Sequence, residues 1–240
     1  MKYFLISLTL TCFTATAGAQ PGAQPFKPDY LLYGEVLRRH VNDRGRVNYA
    51  ALKADKDFPV VLKSMSLMHP NARWSREEQM SFWINTYNMF VLKLICDHYP
   101  IGSVQDIPDA FTREFVKIGV HNYSLDYIEK EMLMKKFKLP EIHFAINCGA
   151  VSCPPLQNTP IRPEGIEQQL KKLGRTFIND TRFNTLTEKK VEVSLIFEWY
   201  AADFASYGTI ADYLRSQTTV QWPERVKIVY KPYDWSLNAQ

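Results

Sequence analysis

The stretch "SREEQMSFWINTYNMFVLKLICDHY" (75–99) constrains the fold more than any other part of the sequence. Ser75 followed by Glu78 is a capping box, in which each side chain satisfies a backbone N–H at the helix start. Pro100 ends the run. Trp83, Tyr87, Phe90, Val91 and Leu94 form one apolar stripe, and Phe82, Met89, Leu92 and Cys96 form another. A helix that is apolar nearly all round has to be surrounded, so the spacing predicts a buried central helix. Asn85 and Asn88 lie on it. A buried amide left without partners costs about 1–3 kcal/mol, so both must bond to something.

The remaining elements are shorter. "EFVKIGVHNYSL" (114–125) reads as strand, turn and strand, with Asn122 suited to a left-handed turn position. Ser124 or Asp126 then caps a helix over "LDYIEKEMLMKKF", which stops before Pro140. "IHFAIN" (142–147) reads as a buried strand leading into a loop broken by Gly149, Pro154 and Pro155. Ile166, Leu170, Leu173 and Phe177 share one face of a further helix. "KKVEVS" (189–194) is a short strand, Ser194 caps "LIFEWYAADF", and "VKIVYKPYDW" (226–235) closes the chain as a last strand. Helices outnumber strands, and the pattern predicts an α+β fold. In it a long buried central helix and further helices pack on a small, largely antiparallel sheet.

The ends and the charge set the setting. Residues 1–19, "MKYFLISLTLTCFTATAGA", have one lysine, an apolar stretch and small residues ending at Ala19, the layout of a secretory signal peptide cleaved there. Thr11 before Cys12 does not suit a lipoprotein site. Residues 20–28 are proline-rich and read as a flexible leader, and 29–240 as a single globular domain. The apolar stretch of the signal is shorter than the ~20 residues a membrane helix needs, and no later segment approaches that length. The expectation is therefore an exported protein that does not span a membrane. With 29 basic against 25 acidic side chains, the charge is near balance. The pairs Lys135-Lys136, Lys171-Lys172 and Lys189-Lys190 each read as a solvated face, which excludes a nucleic-acid surface.

"IHFAINCGAVSCPPL" (142–156) carries the chemistry. His143, Cys148 and Cys153 stand at H-x4-C-x4-C spacing, and four readings of the cysteines stay open. A Cys148–Cys153 disulfide suits export and would contribute about 2 kcal/mol by closing a short loop. A thiolate nucleophile needs a base, and His143 is the local candidate. A zinc site has too few obvious ligands. Unpaired structural cysteines are the fourth. Strand alternation turns His143 and Cys148 to opposite faces, which counts against a direct dyad. With Cys12 removed, Cys96, Cys148 and Cys153 remain, an odd count that leaves at least one thiol unpaired. His143 also reads as a satisfied core histidine, and His40, His69, His98 and His121 carry no partner signal. Glu129 reads as a solvated helix-face carboxylate, with orienting a histidine or anchoring a backbone as the sharper alternative. Trp199 and Tyr200 read as core aromatics and Asp203 as a helix-end carboxylate, with an aromatic sugar platform as the sharper alternative.

Together "FWINTYN" (82–88), "SLDYIEKEML" (124–133), "IHFAINCGAVSCPPL", "IFEWYAADF" (196–204) and "PYDWSLN" (232–238) resemble, in order and spacing, the family called domain of unknown function 547. The family's name assigns no activity. The resemblance marks Asn85, Tyr87, Asn88, Glu129, His143 and the cysteine loop with Pro154 as the positions its pattern uses. Lys130 stands where the family commonly has histidine, and Met134 where it has arginine. Lysine is a poor base unless its pKa of about 10.4 falls by several units. Plant relatives have aspartate at the position of Cys153, which lowers the case for a family-wide cysteine mechanism.

Two functional classes follow. One is an exported binding or structural domain, with candidate binding residues Asn85, Tyr87, Asn88, Glu129 and His143, of which Asn85, Asn88, Glu129 and His143 form a buried polar network, and a Cys148–Cys153 loop. The other is a hydrolase or acyl-transfer enzyme using Cys148 or Cys153 with His143, and Asn85 as orienter or oxyanion donor. No cofactor and no metal are expected, and no partner is named.

Overall fold

The computed structural model describes residues 30–68, 70–224 and 226–240. The expected signal peptide and leader lie outside these, as does His69. Helix α1 (Leu31–His40) packs against α2 (Tyr49–Lys53) and α3 (Asp57–Ser66), and these two pack against α4 (Arg76–His98). The capping box forms as the sequence requires: Glu78 N donates to Ser75 Oγ at 3.1 Å and Ser75 N to Glu78 Oε2 at 2.8 Å. Every side chain from Met80 to Leu92 is buried. Among the neighbours, His40 is not without a partner as expected; its Nε2 lies 2.6 Å from Asp55 Oδ2, in a cluster completed by Arg39.

Strands β1 (Val116–Ile118) and β2 (His121–Tyr123) form an antiparallel hairpin. Gly119, at φ 60°, takes the left-handed turn position, and Asn122 sits in β2 instead, because glycine carries no Cβ penalty there. Ser124 caps the next helix, accepting from Tyr127 N at 3.0 Å. That helix begins as α5 (Leu125–Tyr127) and continues in π-form over Ile128–Lys135. Glu129 is 7% exposed rather than solvated; it stands four residues on from Leu125 and next to Ile128, both fully buried, and shares their inward side.

Residues 142–147 are not a strand. Pro140–Phe144 form a 3₁₀ turn and the chain then runs irregularly to Cys148. Pro140 holds φ near the helical value at the turn's first position. A short apolar run buried on all sides has no periodicity to separate strand from helical turn. The opposite-face argument for His143 and Cys148 falls with the strand.

Helix α6 (Ile166–Ile178) follows, then β3 (Thr185–Leu186), β4 (Val191–Ser194), α7 (Ile196–Trp199), a 3₁₀ stretch (Ala201–Tyr207), α8 (Ile210–Gln217) and β5 (Ile228–Lys231). β3 pairs with β4 antiparallel, and β5 joins β4 in parallel. The fold is α+β as expected, but its strands make two small sheets, and the last strand pairs in the less anticipated sense. Two hydrophobic clusters result. One surrounds α4; the other gathers Phe144, Phe177, Phe197, Phe204 and Tyr213.

Candidate functional site

A cavity of about 140 Å³ draws its walls from both clusters. Tyr87 comes from α4, Asp126 and Glu129 from α5 and its π-continuation, and His143 from the 3₁₀ turn. Ile196, Trp199 and Tyr200 come from α7 and its end, and Tyr233 and Trp235 from the C-terminal segment. Phe111, Ile146, Cys148, Cys153 and Pro154 complete the wall.

The acidic side is buried. Tyr87 Oη donates to Glu129 Oε2 at 3.3 Å, and the other carboxylate oxygen lies 4.0 Å from His143 Nδ1. His143 is 4% exposed, and its Nε2 lies 2.8 Å from Asp203 Oδ2. The imidazole thus stands between two carboxylates, with the Tyr200 ring 3.9 Å from its own. Burial first, and then the Glu129 carboxylate, push the phenols of Tyr87, Tyr200 and Tyr233 well above their ordinary value. All three therefore act as neutral donors and ring faces, not as bases.

The other side is aromatic. Trp199 lies 4.8 Å from Tyr233 and 5.9 Å from Trp235, and Tyr233 lies 4.7 Å from Trp235. Trp199 is not a core aromatic; it is 46% exposed and stands at the rim. Asp203 is likewise more than a helix-end carboxylate, since it bonds His143 across sixty residues of chain.

The expected network separates into three. Tyr87, Glu129 and His143 share the cavity. Asn88 donates to Ala145 O and accepts from Asn147 N, both at 2.8 Å, and so fixes the backbone that carries His143. Asn85 binds the backbone of Ile161, donating to its carbonyl at 2.8 Å and accepting from its N–H at 3.0 Å. It does not line the cavity, and both ends of its amide are occupied, so it is no orienter or oxyanion donor for this site. Asn147 and Asn238 were not singled out in the sequence. Asn147 Oδ1 accepts from Gly149 N and Asn238 Nδ2, and Tyr49 Oη donates to Asn238 Oδ1 at 2.6 Å. The signal for Asn238 was its place in the "PYDWSLN" motif.

Cys148 and Cys153 are joined, with an S–S distance of 2.19 Å and Cα atoms 6.2 Å apart. Neither is a resting thiolate. Cys96 is buried, and burial, followed by the Asp97 charge, pushes its thiol up to about 12. Lys130 is exposed and donates to Asp126 Oδ2 at 2.6 Å; this bond raises its pKa, so it does not stand in for a histidine base. Among the described residues, no group of three or more His, Cys, Asp or Glu is arranged to hold a metal ion, and no helix is long and apolar enough to cross a membrane.

Residues 71–178 match the family described as protein of unknown function, DUF547, the family that the sequence motifs resemble. The matched segment runs from just before α4 to the end of α6. It therefore contains Glu129, His143 and the disulfide, whereas Trp199, Tyr200, Asp203, Tyr233 and Trp235 lie beyond it. No curated protein and no solved structure matches the chain.

Proposed function

We propose that this chain, with its DUF547 segment at residues 71–178, is an exported binding domain that takes a small organic cation into the cavity between Glu129 and the aromatic rings. The observation that carries the reading is a buried carboxylate facing a wall of indole and phenol rings. Of the side chains lining the cavity, Asp126 and Glu129 carry carboxylates and none is lysine or arginine. Ring faces attract a cation by roughly 0.5–2 kcal/mol each, most strongly where water is excluded. The three phenols held neutral beside Glu129 add donors and faces without adding charge of the wrong sign.

The closed disulfide argues against the hydrolase or acyl-transfer alternative, which requires a free thiolate beside His143. Export is supported by the layout of residues 1–19 and by the use of a disulfide, which persists in oxidising compartments. N-terminal sequencing of the protein recovered from outside the cytoplasm is expected to begin at Gln20.

Choline and its neutral isostere 3,3-dimethylbutan-1-ol test the binding reading, with tryptophan fluorescence as the readout. Choline is expected to bind at least about tenfold more tightly than the alcohol. Glu129→Gln is expected to abolish the preference while leaving the unfolding temperature within a few degrees. Equal affinity for the two compounds, or no binding of either, contradicts the reading.

A further inference from the structure

The Cys148–Cys153 disulfide forms part of the cavity wall. Cys148 is only partly buried there, while Cys153 is 7% exposed. The loop between them is held by other bonds. Val151 N donates to Ser236 O at 2.8 Å, Asp234 N to Ser152 Oγ at 2.9 Å, and Asn147 Nδ2 to Pro154 O at 2.8 Å. Gly149 O accepts from Asn238 N at 2.8 Å. These bonds hold the loop from both sides independently of the S–S bond.

Two donors converge on one sulfur. Cys148 N–H donates to Cys153 Sγ at 2.9 Å, and Tyr233 Oη donates to the same sulfur at 3.2 Å. The Tyr233 hydroxyl also lies 3.3 Å from Cys148 Sγ. A disulfide sulfur gains little from such donors, but a thiolate gains a charge-assisted bond from each. The donors therefore fit the reduced state of Cys153 better than the oxidised one. Cys148 is the more accessible residue of the pair, which makes its sulfur the one to be attacked.

We propose that Cys148–Cys153 is a thiol–disulfide exchange site for small aminothiols, in which Cys148 is attacked and Cys153 is the leaving thiolate. The aminothiol class rests on the cation reading of the same cavity: the ammonium sits against Glu129 and the rings, and its thiol faces the disulfide. The substrate thiol loses its proton to solvent and its thiolate attacks Cys148 Sγ. A new S–S bond forms to Cys148 as the Cys148–Cys153 bond breaks, and the electron pair leaves on Cys153 Sγ, held by the Cys148 N–H and the Tyr233 hydroxyl. A second substrate thiolate then attacks the substrate sulfur of the mixed disulfide. It releases the substrate disulfide and leaves Cys148 as a thiolate. Two thiols are oxidised and the protein disulfide takes up two electrons. A second low-molecular-weight disulfide, reduced by the reverse exchange, restores the oxidised protein.

The test uses the oxidised mature protein in native buffer, with 2-mercaptoethanol and cysteamine as probes and rates normalised to thiolate concentration. The folded protein is expected to gain two alkylatable thiols, at Cys148 and Cys153, without loss of its circular-dichroism spectrum. Tyr233→Phe is expected to slow this about tenfold, the effect of losing one hydrogen bond to a charged group. In Cys153→Ser, which does not depend on the tyrosine variant folding, incubation with cystamine is expected to leave a stable cysteamine adduct on Cys148. Cysteamine is expected to react at least tenfold faster than 2-mercaptoethanol, and Glu129→Gln to remove that advantage.

Reduction that proceeds only at the rate of global unfolding overturns the exchange site, even if choline binds. An unchanged rate in Tyr233→Phe overturns the role of Cys153 as leaving thiolate. Exchange with both probes at equal rates overturns the aminothiol class and, with it, the cation reading, while the exchange chemistry stands.

Discussion

Glu129 and Asn85 mark the two limits of what single residues disclose. That Asn85 and Asn88 needed partners followed from their place on an apolar helix, and each is fully bonded to backbone. Which backbone they hold did not follow, because Ile161 and Ala145 lie far along the chain. Glu129 shares the inward side of its helix with Leu125 and Ile128, but the groups it meets there, His143 and Tyr87, come from other elements and are not specified locally. Asp203 meets His143 only through tertiary packing. His40 was equally silent, yet with Arg39 it controls Asp55. Burial there raises the Asp55 pKa, and the bonds from His40 and Arg39 outweigh it, bringing the carboxyl down from 3.8 to about 2. A depressed carboxyl adds stability above its unfolded pKa and loses it as pH falls through the folded one. Acid denaturation followed by circular dichroism should therefore steepen as pH falls from about 4 towards 2. Asp55→Asn, which has no charge to lose, should flatten that part of the curve; an unchanged slope would remove the pair from the account.

At the scale of elements, α4 was legible from its cap to its last turn, because the capping box, the apolar surround and Pro100 all agree. The 142–147 segment was not. Its alternation suited a strand, but local backbone bonds (Ile142 N to Leu139 O and Ala145 N to Ile142 O) close it as a turn, and Asn88 holds that turn in place. Gly149 is the hinge of that segment. It sits at φ 88°, and a Cβ on it would come within 2.4 Å of Ile95 Cδ1. Gly149→Ala therefore combines a left-handed strain with a clash against α4, and should destabilise by about 2–4 kcal/mol in denaturant titration. Gly149→Ala with Ile95→Ala should lose less than the sum of the two single changes, because the clash is removed. Strict additivity would mean the glycine acts through its backbone conformation alone.

For the whole molecule, helices over small sheets were predictable from the balance of periodic segments. The parallel entry of β5 beside β4 was not, since nothing local specifies which neighbour a final strand joins. That entry matters, because it delivers residues 232–240 back across the molecule. Ser236 bridges to Ser103, Leu237 to Ala150 and Ala239 to Val47, and on the way Tyr233 and Trp235 complete the cavity. The cavity is thus a product of the fold as a whole: α5 and its π-continuation supply its acids, α4 supplies Tyr87, and the returning C-terminus supplies much of its aromatic wall. The most direct test of it as a cation site is the set of indole N–H resonances of the five tryptophans during a titration with choline. The account predicts progressive, saturable shifts at Trp199 and Trp235, with Trp74, Trp83 and Trp222 unmoved. Shifts centred on those three, or none at Trp199 and Trp235 at saturating choline, would contradict it.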